Sequence, residues 1–329
     1  MNNKNQGISP ARVSRALPAA MVLFAALMLA VLLPLRLWQQ LRLVEPGTGF
    51  WLGGGVTVPL LYVGLGVLVA VPGLAAFLRR RQAALDLARK RRVTEGVTAA
   101  LAAAALLWGA VAAFGYAMRL FSGQGGEFFD GYEARPSSPM EFYIRSGAMA
   151  CVLESVFGIL SAVFFGQLAA ADLLPEKKIY VGRALALAPF AWAVCRILRR
   201  FSRTIAFLRV SDLFLTLAML VATMLFLLAL AQCVSGRYGT NKTAPLLAAG
   251  IPAAVLALLC FVPRLAAYGF MGLNAPQDAL IEWYDPAMAV FALVFMAGRL
   301  FTGAPVEKAR GEEPDDENED EAEEEEDVE

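Results

Sequence analysis

The chain has no histidine among its 329 residues. That removes histidine-based catalytic triads, histidine metal ligands and the usual proton switch near neutral pH. Cysteine is scarce. Cys151, Cys195, Cys233 and Cys260 stand alone, with no C-x-x-C pair. Each falls in a long apolar stretch, so they read as small buried side chains and not as disulfide partners or zinc ligands. Charge is thin as well, at 18% of residues against 58% hydrophobic, which is too little polar surface for a soluble domain of this length. Walker A, nucleophile-elbow, zinc-protease and dinucleotide fingerprints are all missing. Gly64-x-Gly66 sits inside an apolar run and carries no nucleotide meaning. The expectation is a protein that is not an enzyme, with no cofactor, no metal site and no nucleic-acid partner.

One further absence organises the rest. The last 19 residues contain no base. Residues 1–310 carry all 29 Lys and Arg with only 15 of the Asp and Glu, a balance of +14, whereas 311–329 carry the other 14 acids, a balance of −14. A hydrophobic, basic body is tied to a low-complexity acidic tail. By composition the tail is disordered and solvated.

The body is written for a bilayer. Crossing hydrocarbon as a helix takes about 20 apolar residues. Uncharged runs of that length cover 16–35, 46–78, 96–118, 213–236 and 243–263. Gly53-Gly54-Gly55 belongs to a loop, which leaves 56–78 as the second span. Three more segments qualify with a charge inside or at the edge: 146–171 with Glu154, 180–198 with Arg183 and Arg196, and 286–302 with Arg299. The runs are too long for β-barrel strands and do not alternate. The expected fold is an all-α polytopic bundle of about eight membrane helices: residues 1–15 form the N-terminus, 16–304 the membrane domain and 305–329 the tail. Lys4, Arg12 and Arg15 precede the first run as in a signal peptide, but Arg36-Leu37-Trp38 follows it instead of a small-residue cleavage site, so an uncleaved first span is expected.

Basic residues orient such a bundle. With eight spans and a cytoplasmic N-terminus, 18 of the 29 Lys and Arg fall inside. Arg79, Arg80, Arg81, Arg89, Lys90, Arg91 and Arg92 are the strongest inside marker and candidate contacts for lipid headgroups. The expected location is the cell membrane, multi-pass, with the Ala- and Arg-rich composition of a bacterial plasma membrane.

Residues 196–209 disturb the count, because eight spans put Arg196, Arg199, Arg200, Arg203 and Arg209 outside. Arginines at 196, 199/200 and 203 share one helix face, and Ile197, Phe201, Ile205 and Leu208 share another. That pattern suits an interfacial helix touching anionic headgroups through Arg199, Arg200 and Arg203. It also suits a short span from which Arg183 and Arg196 snorkel. Ser211-Asp212 is a candidate N-cap for the next helix. A seven-span alternative comes from an echo: Arg36-Leu37-Trp38, Arg119-Leu120-Phe121 and Arg299-Leu300-Phe301 each close an apolar run. If these form a parallel repeat, the third faces outside with the first two. Ordinary arginine–aromatic interface anchoring gives the same echo without a repeat.

Glu154 is the leading single candidate for chemistry, since an acid within a span usually meets a partner or a wet cavity. Gln167 lies on the same helix but points elsewhere. One alternative for Glu154 is a structural ion pair with Arg119, Arg196 or Arg299. Another is a late helix start that leaves Glu154 near the interface. Gly64, Gly66 and Gly73 with Pro59 and Pro72 give the second span a small, kink-prone surface, and Pro252 and Pro263 mark another kink. The loop 122–143 mixes Glu127, Asp130, Glu133 and Glu141 with aromatics, without the ligand alternation of a calcium loop. The expected function is a non-catalytic scaffold or accessory component, with the bilayer, anionic lipid and a membrane-protein companion as partners. The alternative is a small-solute or ion transporter or channel using Glu154.

Overall fold

A computed structural model describes residues 16–45, 52–53, 55–78, 83–85, 93–122, 138–174, 184–202, 210–235, 244–271 and 281–302. The described chain is helical apart from one short ribbon. The helices are α1 (Ala16–Arg42), α2 (Thr57–Leu78), α3 (Val93–Phe121), α4 (Pro139–Arg145), α5 (Ala148–Leu173), α6 (Ala188–Ser202), α7 (Val210–Val234), α8 (Ala244–Arg264) and α9 (Tyr284–Arg299). A 3-10 turn at Leu185–Leu187 leads into α6, and a π-helical turn at Leu265–Phe270 extends α8. The ribbon pairs β1 (Ala83–Leu85) with β2 (Leu300–Thr302) in antiparallel register.

A helix stands at each of the eight predicted positions. Among the described residues, six helices are long and apolar enough to cross a membrane: α1, α2, α3, α5, α7 and α8 with its extension. The chain is a multi-pass helical membrane protein. At 15 and 16 residues, α6 and α9 differ. A helix of that length covers about 22–24 Å, short of a hydrocarbon core about 30 Å thick. Apolar runs located the helices, but several ends lie beyond the runs. α1 continues through Arg36 to Arg42, and α3 takes in Glu95 and Arg119. Charges bounded the predicted spans, yet a charge does not stop a helix when its side chain finds a partner. The predicted 180–198 segment moves towards the C-terminus, and the predicted 286–302 helix ends at Arg299, where the chain becomes β2.

Close approaches fix the directions. Leu32 lies against Gly64, and Gln39 Nε2 donates to the Thr57 carbonyl at 2.8 Å, so α1 and α2 run antiparallel. Gly96 meets Leu173 and Gly158 meets Ala110, which sets α5 antiparallel to α3. Gly109 faces Tyr284 while Gly298 faces Glu95, so α9 also opposes α3. α8 is the most enclosed of the long helices and packs on α1, α2, α7 and α9. Gly250 lets Met296 and Phe226 close on it. Small residues at such crossings allow dispersion contact where lipid supplies no hydrophobic drive between helices. Gly66 and Gly73, by contrast, meet nothing within 4 Å.

Two local devices turn the chain on the side where α3 ends. Ser138 caps α4, its Oγ accepting from the Glu141 N–H at 3.2 Å, with Pro139 beginning the helix. Gly147 has φ 74°, a left-handed geometry that admits glycine readily and starts α5. The acids Glu127, Asp130 and Glu133 lie outside the described residues.

The β1–β2 ribbon overturns the parallel-repeat reading of the arginine–aromatic echo. Arg36 and Arg119 lie near the ends of α1 and α3, opposite the loop that joins α2 to α3. Leu300 and Phe301 pair with Leu85 and Ala84 in that very loop. The third copy therefore closes on the other side of the bundle from the first two.

Gly109→Ala tests the crossing in which a glycine meets an aromatic ring. A Cβ there would collide with the Tyr284 ring, over which the Arg196 guanidinium rests. Overpacking of this kind costs about 1–3 kcal/mol. The loss should appear in SDS-titrated unfolding in bicelles, with Gly66→Ala unchanged as its control.

Candidate functional site

Apart from Glu95, the described chain gathers its buried charges into a belt in the half of the bundle where α3 ends. One part joins α5, α6 and α9. Arg199 Nε lies 3.0 Å from Glu154 Oε2, and Arg199 Nη2 lies 2.5 Å from Glu282 Oε1. Arg196 holds Asp285 through both carboxylate oxygens, at 2.8 and 3.3 Å, and also bonds Glu282. Its guanidinium rests over the Trp192 and Tyr284 rings, 5.0 and 4.3 Å from their centres, and those rings meet edge to face at 5.1 Å. Arg196 is 3% exposed and Glu154 is 1% exposed.

Local structure favours this set. Glu282 and Asp285 stand three apart where α9 begins, so they reach one side together. Carboxylates at a helix start and arginines in a last turn both oppose the helix dipole, and Arg199 lies in the last turn of α6. Depth makes the pairing matter. Tyr284 packs against Gly109, and Ala110 against Gly158, both just past the midpoint of α3. One turn beyond Gly158, Glu154 sits about 10 Å from that midpoint along the helix. An unpaired charge at such depth costs several kcal/mol.

The other part joins α1, α7 and α8. Asp212 receives Arg36 at 3.3 Å and Arg264 at 2.7 Å. Arg264 also donates to Thr216 Oγ1 at 2.5 Å, while the Thr216 hydroxyl donates back to the Asp212 carbonyl at 2.7 Å. Gln40 Nε2 donates to the Tyr268 hydroxyl at 3.1 Å, tying α1 to the extension of α8. The two parts adjoin where α8, which carries Arg264, packs on α9, which carries Asp285. Together the bonded set holds Arg36, Arg196, Arg199 and Arg264 against Glu154, Asp212, Glu282 and Asp285. Their formal charges cancel. Arg200, half-buried at the edge, adds to the field at Asp212.

No protein-family model, curated protein or solved structure matches this chain.

The predicted residues divide sharply. Glu154 has an arginine partner, but it is Arg199, with Arg196 one step away in the same network. Arg119 lies elsewhere and approaches the Tyr116 ring at 6.0 Å. Gln167 is half-buried further along α5, and its Oε1 accepts no hydrogen bond among the described residues. The side chain of Arg299 lies outside the described residues, as do Arg79, Arg80, Arg81, Arg89, Lys90, Arg91, Arg92 and Arg203.

Two readings of the arginine segment are corrected. Arg199, expected at a headgroup, turns inward because Glu154 and Glu282 await it there. Arg196, expected to snorkel, is enclosed by Asp285 and two rings. The amphipathic helix is thus inside out: its arginine face meets acids in the bundle, while Leu198 and Phe201 are exposed. Asp212 does not act as an N-cap. It lies within the first turn of α7 and bonds Arg36 and Arg264.

Glu282, Asp285, Asp212, Arg36 and Arg264 were not predicted as site residues. All but Glu282 directly border the apolar runs, where charges resemble ordinary helix-end residues. The three-residue spacing of Glu282 and Asp285 was the available signal. Glu95, also outside its predicted span, is 3% exposed where α3 begins, against Gly298.

Proposed function

We propose that the chain is a non-catalytic scaffold or accessory component of a bacterial plasma membrane, with a cytoplasmic N-terminus. One observation carries this reading: the four arginines and four acids of the belt are ion-paired with one another and cancel in formal charge. A transport site needs a group that an ion or proton can occupy and leave. In the belt, each acid is held directly by at least one guanidinium, and these bonds fasten the short helices α6 and α9 to the bundle. The network resembles a set of staples. Its partners would be the bilayer, anionic lipid at the 79–92 loop and at Arg203, and a neighbouring membrane protein, with no nucleic acid.

A transporter or channel centred on Glu154 is the second reading. It is favoured by the local count around α5, α6 and α9, where three acids face two arginines, and by the two helices that stop short of full membrane thickness.

Flux through purified chain in liposomes separates the two. The scaffold reading expects proton, sodium and potassium leak equal to that of protein-free vesicles. Cross-linking in native membranes should give a discrete complex with a second protein. Saturable flux that disappears in a folded Glu154→Gln variant would replace the scaffold with a transporter.

A further inference from the structure

Arg199 carries two carboxylates on adjacent nitrogens of one guanidinium. Glu154 Oε2 stands 3.0 Å from Nε, and Glu282 Oε1 stands 2.5 Å from Nη2. Such an edge commonly takes both oxygens of a single carboxylate. Here two acids from distant parts of the chain place one oxygen each on it, so they stand side by side. They are not held equally. Glu282 also bonds Arg196. Glu154 has Arg199 as its one ion-pair partner among the described residues, and its Oε2, although close to Nε, accepts no well-directed hydrogen bond there. Glu154 is nonetheless buried.

Charge around the pair does not balance. Arg196 grips Asp285 with two nitrogens and reaches Glu282 as well. Three acids therefore meet two guanidiniums where α5, α6 and α9 join, a balance of −1. The belt cancels as a whole only because Arg36 and Arg264 share Asp212 in its other part. Among the described side chains, no other element brings a compensating charge to Glu154. α3 meets α5 nearby through Ala110, and its Tyr116 and exposed Arg119 lie further along. α4 packs on α5 and adds Glu141 and Tyr143. Arg200, half-buried on α6, lies in the field of Asp212. Cys151, Cys195 and Tyr284, all buried at the junction, supply no cation.

We propose that Glu154 and Glu282 form a proton-binding site, in which the two carboxyls on Arg199 share one proton. Two carboxylates at one site do not readily ionise together, because each repels the charge of the other. The proton makes an O–H bond to one carboxyl and a hydrogen bond to the other, and the junction passes from −1 to neutral. A proton needs only these two oxygens, whereas a metal ion needs a fuller ligand set, and no group of three acids or cysteines converges in that way among the described residues. Exposure falls from 17% at the Glu282 side chain to 2% at Glu154, so water meets the pair from the Glu282 side. Binding is not transport. A proton held here without flux leaves the scaffold reading intact, and the site can fail while that reading stands.

The test is infrared spectroscopy of the full chain in phosphatidylcholine vesicles at neutral pH, where a carboxylic C=O band marks a protonated acid. The parent should show a band that is lost on a step to alkaline pH and is missing from both Glu154→Gln and Glu282→Gln. Either substitution leaves two acids for two guanidiniums. Glu95→Gln, which removes a buried acid elsewhere, should keep the band. Isotope labelling needs no substitution and so does not depend on a variant folding: heavy carbon in glutamate should shift the band, and heavy carbon in aspartate should not. Absence of the band from the parent would overturn the site, as would a band that moves with aspartate. Persistence in folded Glu282→Gln would place the proton on Glu154 by depth alone and overturn the sharing. Persistence in folded Glu154→Gln would place it outside the pair. A band that falls as sodium is raised at fixed pH would put a metal ion in the site and overturn the proton.

Discussion

Arg196→Ala should be the most damaging single substitution in the belt, lowering stability by about 3–5 kcal/mol. The side chain is 3% exposed and bonds both Asp285 and Glu282. Its removal leaves Asp285 without its closest partner near mid-depth in the bundle, and the void is lined by Trp192 and Tyr284. Loss of the stacked guanidinium adds to the penalty, since a desolvated cation–π contact contributes about 2 kcal/mol. Arg196→Lys should fall between Ala and the parent. A lysine keeps the charge but cannot grip Asp285 with two donors or lie flat between two rings. SDS-titrated unfolding in bicelles measures both variants. α9 should also loosen from α6, so a cysteine placed at Ala287 should gain reactivity in Arg196→Ala.

Asp212→Ala should have the second largest effect, about 2–4 kcal/mol. Among the described residues, Asp212 joins Arg36 to Arg264, whose side chains are 2% and 9% exposed. Without it, two guanidiniums face each other among the ends of α1, α7 and α8. The loss is expected to be smaller than for Arg196 because the Asp212 side chain is 22% exposed, so water can reach the site. Asp212→Asn preserves the shape but not the charge and should recover only part of the loss. The same unfolding titration reports it, and the Gln40–Tyr268 bond at this end should weaken with it.

The fold was legible because its signal is local. The apolar runs at 56–78 and 213–236 correspond to α2 and α7 within a few residues at each end. Loop charge was informative in the same way. The segment 79–92 separates α2 from α3, as its arginines imply. The belt was less legible because its bonds are not local: Arg196 and Asp285 stand 89 residues apart, and Arg36 and Asp212 stand 176 apart. Hydrophobic periodicity shows which arginines share a face. It does not show whether that face meets headgroups or acids, and for Arg199 the two cases have one sequence pattern. Glu154 was the exception. An acid within an apolar run has few acceptable surroundings, so an arginine partner could be expected even though the particular arginine could not. Glu282 and Asp285 gave a weaker signal, because acids at a helix start are common for reasons of capping and dipole alone. The short reach of α9 was hidden for a related reason. Apolar composition continues through Phe301, while the chain turns to a strand at Leu300 to meet β1.

A double-mutant cycle on Arg196 and Asp285 tests most directly whether the buried charges hold the bundle together. Unfolding free energies of the parent, Arg196→Met, Asp285→Leu and the double variant isolate the coupling between the two side chains. The structural account predicts a double variant far less destabilised than the sum of the single changes, with a coupling of about 2–3 kcal/mol. Additive losses, with no coupling beyond error, would contradict it.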